Sequence, residues 1–276
     1  MLLSMSTLFQ CRFLHSLVLI FAFVISGTSC AEVLSSRVTP SNTITFVADR
    51  WPPFNDVPDS EMEGYMMDVA RAVFEPQGYK VVYKNMPWNR AIVESRRGRF
   101  DAIIGASRVD APDFVFPEEE LGRNKLSFYI TKESNWTFKD VSSLEQVYLG
   151  VIDGYDYRAW FKEYERTHPE KIYVRHGKTP LKENLKLLLH GRLDAVVDNE
   201  AALRWVAKDM GILDQLKPGG EDTVGGVSYI YHAFSPARPT SGHYARLLSQ
   251  GIREMRENGR LQAILDRYGI QDWQKK

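Results

Sequence analysis

The sequence predicts an α/β fold of two lobes, each a mainly parallel sheet flanked by helices, with a cleft between the lobes. Strand-like and helix-like segments alternate after residue 42, which is the order of parallel strands joined by helical crossovers. The segment GRFDAII at 98–104 then returns as GRLDAVV at 191–197, with apolar replacements only. This repeated helix stop, turn and strand indicates two related units. Open α/β sheets bind ligands beyond the carboxyl ends of their strands, so a shared crevice is expected there.

The first 31 residues have the pattern of a cleaved signal peptide. Arg12 precedes an uncharged stretch that ends in the apolar run 17–25, and small residues follow as far as Ala31. The run is far shorter than the ~20 residues that a membrane-spanning helix needs. We expect cleavage after Ala31 and a periplasmic protein. The alternative is that Cys30 becomes a lipid-modified first residue.

The composition argues against several classes of function. The two cysteines, Cys11 and Cys30, both lie in the predicted signal peptide, so the mature chain should have no disulfide, thiol nucleophile or cysteine metal site. Basic and acidic residues are equal in number, 35 each, which gives no attraction to nucleic acid or membranes. The sequence has no His-Glu-x-x-His motif, no Gly-x-Ser-x-Gly motif and no phosphate-binding loop. We therefore expect no metal site, no cofactor and no catalytic residue.

The first lobe is predicted from elements that begin at residue 43. Residues 43–48 (TITFVA) are β-branched and aromatic, which favours a strand, and the prolines of the turn 51–54 end it. Apolar residues at helical spacing predict a helix over 64–74, which Pro76 and Gly78 close. The other elements of this lobe are a buried strand at 81–83, a helix at 88–97 and a short apolar strand at 100–105.

The second lobe repeats this order, and no low-complexity linker separates the lobes. Its predicted elements are a strand at 147–152, a helix at 155–166, a strand at 172–175 and a helix at 181–190. The C-terminal region adds a strand at 227–233, an amphipathic helix at 244–258 and a shorter helix that ends at 268. We expect the chain to change lobes within two hinge strands. The predicted organisation is a signal peptide at 1–31, a first lobe of 32–130 with 228–276, and a second lobe of 131–227.

Short motifs follow these elements in a characteristic order. In the first lobe they are Pro52-Pro53-Phe54, Gly64-Tyr65 with Asp68, residues 86–90 (MPWNR), Gly98 with Asp101-Ala102, and residues 113–117 (DFVFP). In the second lobe they are residues 150–155 (GVIDGY) and Gly191 with residues 194–198 (DAVVD). Each motif is weak alone. Together, over residues 40–270, they resemble the family 3 extracellular solute-binding proteins, the polar amino-acid-binding type of the type II periplasmic binding protein fold.

The resemblance implies a set of ligand-binding residues. Arg108, with Ser107 beside it, matches the arginine that holds a ligand carboxylate, because a guanidinium can donate two parallel hydrogen bonds. The segment 105–112 is shorter than the family's, and a surface arginine paired with Asp110 or Asp113 is the alternative. Asp198 matches the aspartate that holds the ligand ammonium, with a solvated turn aspartate as the alternative. Further ligand contacts are predicted for the helix start at Tyr155 and for aromatic residues near strand ends: Trp51, Tyr65 and Trp88.

The resemblance implies a monomeric protein that captures a small polar, amino-acid-like ligand and delivers it to an inner-membrane ABC-type permease. It also leaves two alternatives open. One is an enzyme of the cyclohexadienyl dehydratase type on the same scaffold, in which a cleft carboxylate or histidine is the general acid. The other is a ligand-sensing partner of a membrane receptor.

Overall fold

The computed structural model describes residues 42–274, and within them the chain forms two five-stranded sheets flanked by helices. The predicted signal peptide, with both cysteines, lies outside the described residues. The strands are β1 (Thr43–Ala48), β2 (Lys80–Asn85), β3 (Ala102–Ala106), β4 (Gly122–Arg123), β5 (Leu126–Thr131), β6 (Leu149–Ile152), β7 (Ile172–Arg175), β8 (Ala195–Asn199), β9 (Leu216–Glu221) and β10 (Tyr229–Phe234). The helices are α1 (Tyr65–Phe74), α2 (Trp88–Arg96), α3 (Ala159–Thr167), α4 (Pro180–Leu189), α5 (Glu200–Asp209), α6 (Ser241–Glu257) and α7 (Arg260–Arg267).

The two sheets have the same plan, which confirms the predicted two-lobed α/β fold. The strand orders are β2-β1-β3-β10-β4 and β7-β6-β8-β5-β9. In each sheet the first three strands are parallel, and the other two add antiparallel pairs. The sheets are therefore mixed. The antiparallel part arises where the chain crosses between the lobes, since β5 enters the second sheet and β10 returns to the first.

The crossings lie in short segments between strands. The sequence placed the first boundary at residue 130, but β5 pairs with β8 and β9 in the second sheet, so this crossing lies at Asn124 and Lys125. The return crossing lies between β9 and β10, close to the predicted residue 228. Arg158 contacts both crossings: its guanidinium donates to the Asn124 carbonyl at 2.7 Å, and its Nε lies 3.8 Å from Asp222 Oδ2. This buried arginine ties the second lobe to both connections.

Asp101 and Asp194, the aspartates of the internal repeat, have the same structural role in the two lobes. Asp101 Oδ2 accepts hydrogen bonds from the backbone N–H of Thr45 at 2.8 Å and from its hydroxyl at 2.6 Å. Asp194 Oδ2 accepts from the backbone N–H of Tyr148 at 2.8 Å. Each carboxylate thus fixes the beginning of the neighbouring parallel strand. The internal repeat therefore marks equivalent places in two related sheets.

The helix predicted to open at Tyr155 begins later. Helix α3 starts at Ala159, because Arg158 has a φ of 81° that breaks the helical path. Tyr157 turns into the core instead, where its hydroxyl accepts a hydrogen bond from the Ile152 N–H at 2.9 Å. Tyr155 and Asp156 therefore lie in an irregular loop after β6. The predicted helix N-terminus at Tyr155 is absent.

The first sheet is packed around aromatic side chains. Phe46, Phe74 and Phe234 are fully buried, with ring centroids 6.1 to 6.4 Å apart, and Tyr244 of α6 closes this cluster. This core holds the carboxyl ends of β1 and β3 facing those of β6 and β8.

No helix within residues 42–274 is long and apolar enough to span a membrane.

Candidate ligand site between the lobes

A cavity lies between the lobes at these strand ends. It contains about 490 Å³ of empty space, part of which is continuous with solvent. The lining residues come from both lobes and from the first crossing: Asp49, Trp51, Asn55, Trp88, Ile104, Gly105, Asp110, Asn124, Leu126, Tyr155, Asp156, Tyr157 and Asp198. We call this the central cavity. Its place is the one that open α/β sheets use for ligands.

Trp51 is positioned by its own lobe. Its ring stacks on Phe54 with centroids 4.0 Å apart and an interplanar angle of 21°. Gly105 on β3 lets the indole lie flat against the strand, since a Cβ there would come within 3.2 Å of two ring carbons. The φ of Gly105 is +81°, which also disfavours any other residue. The indole N–H is thereby directed across the cleft.

Two reciprocal hydrogen bonds join the lobes through the cavity. Trp51 of the first lobe donates from Nε1 to Asp198 Oδ1 of the second lobe at 3.0 Å. Tyr155 of the second lobe donates its hydroxyl to Asp49 Oδ2 of the first lobe at 2.7 Å. The two aromatic rings also meet edge to face, with centroids 6.3 Å apart. The lobes are therefore in contact, and each supplies an aromatic donor to a carboxylate of the other.

Asp198 is the penultimate residue of strand β8 and is 1% exposed. Its Oδ1 accepts from Trp51 Nε1 and from the Asn199 N–H at 2.6 Å. Its buried Oδ2 has no hydrogen-bond partner among the described residues. Burial raises the pKa of Asp198 to about 7, although the hydrogen bonds from Trp51 and Asn199 oppose the shift. A buried acceptor of a cavity-lining residue thus has no donor among residues 42–274 and is left for a donor from a ligand.

Two more carboxyl groups of the cavity are perturbed in the same direction. Burial raises the pKa of Asp49 to about 7, against the opposing effect of the Tyr155 hydroxyl. Burial also raises the pKa of Asp110, and the charge of Asp156 adds to the effect. Because ionised carboxylates are costly in such a place, a positive group between them is favoured.

Four of the seven residues predicted from the sequence line the central cavity. They are Trp51, Trp88, Tyr155 and Asp198. Their place in the cavity agrees with the motif positions, because each lies at or just after the end of a strand or at the start of a helix. A role in ligand binding stays a prediction for each of them.

The other three predicted residues lie elsewhere. Tyr65 is 1% exposed and donates its hydroxyl to the Leu121 carbonyl at 2.6 Å. Ser107 is buried, and its hydroxyl accepts from the backbone N–H groups of Val109 and Asp110, which closes a turn. The Arg108 side chain is exposed, and its guanidinium lies 4.8 Å from the Phe116 ring and 5.0 Å from the Tyr231 ring. Aromatic stacking thus holds this arginine away from the central cavity.

Sequence reasoning missed several polar residues of the lining, above all Asp49 and Asp110. Asp49 directly follows β1, so the rule that strand ends face the crevice was a usable signal for it. Asp110 lies in the shortened loop after β3, and in this loop the family resemblance predicted Ser107 and Arg108 as the ligand-binding residues. Asn124 lies at the first crossing, whereas the sequence placed this lobe boundary at residue 130. No three His, Cys, Asp or Glu side chains in the described part of the chain form a group that could hold a metal ion.

Comparison with known proteins identifies the relatives of this fold. The family model of bacterial extracellular solute-binding proteins, family 3, matches residues 44–271. A histidine kinase sensor domain with similarity to periplasmic binding proteins is 21% identical, with a TM-score of 0.66, over 82% of this chain and 96% of that chain. A structure from work on glutathione import via GshT and the cystine ABC importer TcyBC of Streptococcus mutans is 18% identical, with a TM-score of 0.68, over 82% and 94%.

An ancestral arginine-binding protein bound to glutamine is 19% identical, with a TM-score of 0.65, over 83% of this chain and 98% of that chain. A comparison with curated proteins gives no match. At these identities the solved structures show a shared fold. Because the family model covers nearly all of the described residues, the chain belongs to the bacterial extracellular solute-binding proteins of family 3.

Proposed function

We propose that this chain is exported to the periplasm and works there as a monomeric binding protein. It captures a small polar molecule with an amino group by closing its lobes, and it delivers that molecule to an ABC-type permease. The observation that carries the proposal is the buried Oδ2 of Asp198, a residue of the cavity lining, which has no donor within residues 42–274. A ligand ammonium or N–H group would supply that donor.

Capture by closure is supported by the contacts across the cleft. The bonds Trp51–Asp198 and Tyr155–Asp49 exist only when the lobes are together, because each joins residues of different lobes. The crossings at Asn124 and between β9 and β10 are short, so bending there is the simplest way to open the cleft. Opening would expose the carboxylates to solvent, and ligand binding would favour the closed arrangement.

Delivery to a permease is supported by the family and by structural relatives from importer studies. A membrane sensor is the second partner we consider, because a histidine kinase sensor domain shares the fold. A pull-down of membrane proteins with the ligand-saturated protein separates these two partners. Recovery of a permease supports a role in transport. Recovery of a receptor kinase alone would contradict transport and support a role in sensing.

Chemistry on the ligand is a second candidate function. It is favoured by one observation, namely that Asp49 and Asp198 both have a pKa of about 7, which suits a general acid. Mass analysis of ligand recovered after long incubation tests this candidate. A product that forms with the native chain and not with Asp198→Asn would make the protein an enzyme of this fold.

A thermal-shift screen of the mature protein against amino acids, amines, small acids and sugars tests the binding function. A ligand at 100 times its Kd should stabilise the folded state by about 2.7 kcal/mol, so true ligands raise the melting temperature in a saturable way. The Asp198→Asn variant, screened in parallel, should lose that response. If no compound of the panel binds the native chain, the proposed function is contradicted.

A further inference from the structure

All the charged residues in the lining of the central cavity are acidic. The cavity contains four aspartates, Asp49, Asp110, Asp156 and Asp198, and its lining includes no lysine, arginine or histidine. Arg108, which the family pattern assigns to a ligand carboxylate, is stacked on Phe116 and Tyr231 instead. A carboxylate inside this cavity would meet negative charge and no basic partner. Such a site disfavours zwitterions as well as anions.

The four aspartates form two pairs, and each pair takes one member from each lobe. Asp49 and Asp198 interact, since the charge of Asp49 raises the pKa of Asp198. Asp110 and Asp156 interact in the same way. The two pairs are at different places: Asp110 and Asp156 also line an adjoining cavity, whereas Asp49 and Asp198 do not. The absence of a metal-type cluster in residues 42–274 agrees with acids spread over two places rather than gathered at one point.

An independent observation shows that one carboxylate oxygen of the first pair has no donor among the described residues. Asp198 is 1% exposed and its Oδ2 is without a partner, although Oδ1 already accepts two hydrogen bonds. At the second pair, the charge of Lys162 lowers the pKa of Asp110. Lys162 is exposed and shares the adjoining cavity with Asp153 and Glu165, so acidic groups outnumber it there. Neither pair of aspartates therefore has a basic residue in the lining of the central cavity that balances it.

The rest of the lining suits a short hydrocarbon chain. Trp88, Ile104 and Leu126 contribute apolar surface, and the aromatic faces of Trp51 and Tyr155 favour contact with methylene groups next to a cationic nitrogen. A cavity with an aspartate pair at each end and an apolar middle fits one ligand class. Such a ligand has two positive charges, a short spacer and no carboxylate.

We propose that the ligand of this cavity is a diamine, with one ammonium group between Asp49 and Asp198 and the other between Asp110 and Asp156. This inference rests on the proposed binding function and narrows its ligand class. Closure of the lobes completes both carboxylate pairs, since each pair spans the cleft. Binding of both ammonium groups therefore favours the closed arrangement of the lobes.

Calorimetry with matched probes tests the inference. The probes are putrescine and cadaverine, their α-carboxylated counterparts ornithine and lysine, and butylamine, which lacks the second amino group. We expect at least one diamine to bind at least ~30-fold more tightly than its carboxylated counterpart and than butylamine, since a charged pair in a closed cleft is commonly worth ~2 kcal/mol or more. Equal affinity for ornithine or lysine would refute the claim that the site disfavours a ligand carboxylate. Equal affinity for butylamine would refute the claim that the site binds a second positive charge.

Variants of the two pairs separate this inference from a general loss of folding. Asp198→Asn should weaken diamine binding by at least ~30-fold and Asp156→Asn by at least ~10-fold. Asp214 is an exposed aspartate outside the cavity, so Asp214→Asn should leave binding unchanged. Circular dichroism and melting curves check that each variant is folded. If both diamines fail to bind while an amino acid of the broad screen binds, the diamine inference is overturned and the binding function stands. If neither class binds, both are overturned.

Discussion

Replacing Asp198 by Asn keeps the shape of the side chain and removes its charge. The remaining side-chain oxygen accepts the hydrogen bonds from Trp51 Nε1 and the Asn199 N–H as before. The amide nitrogen then takes the place of Oδ2, the buried atom without a partner. A ligand cation would meet a hydrogen-bond donor where it now meets an acceptor.

The expected effect on binding follows from burial. Removing one partner of a buried, charge-assisted hydrogen bond commonly costs ~2 to 5 kcal/mol, because the other charge stays desolvated and unpaired. Each ~1.4 kcal/mol is a factor of ten in Kd. Asp198→Asn should therefore weaken ligand binding by at least ~30-fold.

The expected effect on the ligand-free protein has the opposite sign. The pKa of Asp198 is raised from 3.8 to about 7, so the folded state holds this proton more tightly than the unfolded state. Ionised Asp198 thus lowers the free energy of unfolding as the pH rises from 3.8 to about 7. A pKa shift of this size corresponds to about 4 kcal/mol of unfolding free energy while the lobes are closed. Opening of the lobes hydrates the carboxylate and makes the effect smaller. Asp198→Asn should be close to neutral at pH 4 and stabilising at pH 8.

Titration calorimetry and denaturant unfolding at pH 4 and pH 8 measure the two effects. Asp194→Asn is the matched control, because Asp194 precedes the same strand but is exposed and only fixes the Tyr148 N–H. It should leave Kd unchanged and affect stability alone. An unchanged Kd for Asp198→Asn would refute the reasoning about ligand binding. A stability difference that does not vary with pH would show that Asp198 is hydrated when no ligand is bound.

Three other changes test separate parts of the account. Because Asp49 and Asp198 both have a pKa of about 7, binding of a cationic ligand should strengthen about tenfold or more between pH 6 and pH 8, as measured by calorimetry. Trp51→Phe keeps the ring stack and removes the hydrogen bond that crosses the cleft, so the ligand Kd should rise roughly tenfold. Arg158→Met leaves buried Asp222 without its cation and should lower the free energy of unfolding by about 2 to 3 kcal/mol in urea denaturation.

Matched variants define what would contradict these predictions. Trp160→Phe removes an indole donor to Asp222 of the return crossing, outside the central cavity, and should not change ligand affinity. Arg166→Met removes an exposed pair on α3 and should cost less than ~1 kcal/mol. Equal effects of Trp51→Phe and Trp160→Phe on Kd would argue against the cross-lobe bond. Equal effects of the two arginine variants on stability would argue against the role of Arg158, and a flat pH profile would argue against ionised carboxylates in binding.

Much of the fold was predictable, because local patterns agree with the tertiary structure. Strands β1 and β7 were predicted with the bounds that the structure has, and the repeat at 98–104 and 191–197 anticipated the common sheet plan. The start of α3 was not predictable in this way. Its sequence allows a helix from Tyr155, and only packing of Tyr157 and the positive φ of Arg158 delay it. Strand β9, with Pro218 and two glycines, gives no strand signal of its own and depends on pairing with β5.

The site was predictable only in part. Asp198 and Trp51 were found because motifs fix them at strand ends. The direction of the Arg108 side chain was not, since it depends on Phe116 and on Tyr231 of a distant strand. The pairing of carboxylates across the cleft likewise depends on how two lobes meet, which no local pattern encodes.

Small-angle scattering of the mature protein, with and without the ligand that the screen identifies, tests the central claim most directly. We expect a smaller radius of gyration at saturating ligand, because the cleft closes and the Trp51–Asp198 and Tyr155–Asp49 bonds form. We also expect that Asp198→Asn needs a much higher ligand concentration for the same change. A radius of gyration that does not change when calorimetry shows the site to be full would contradict capture by closure.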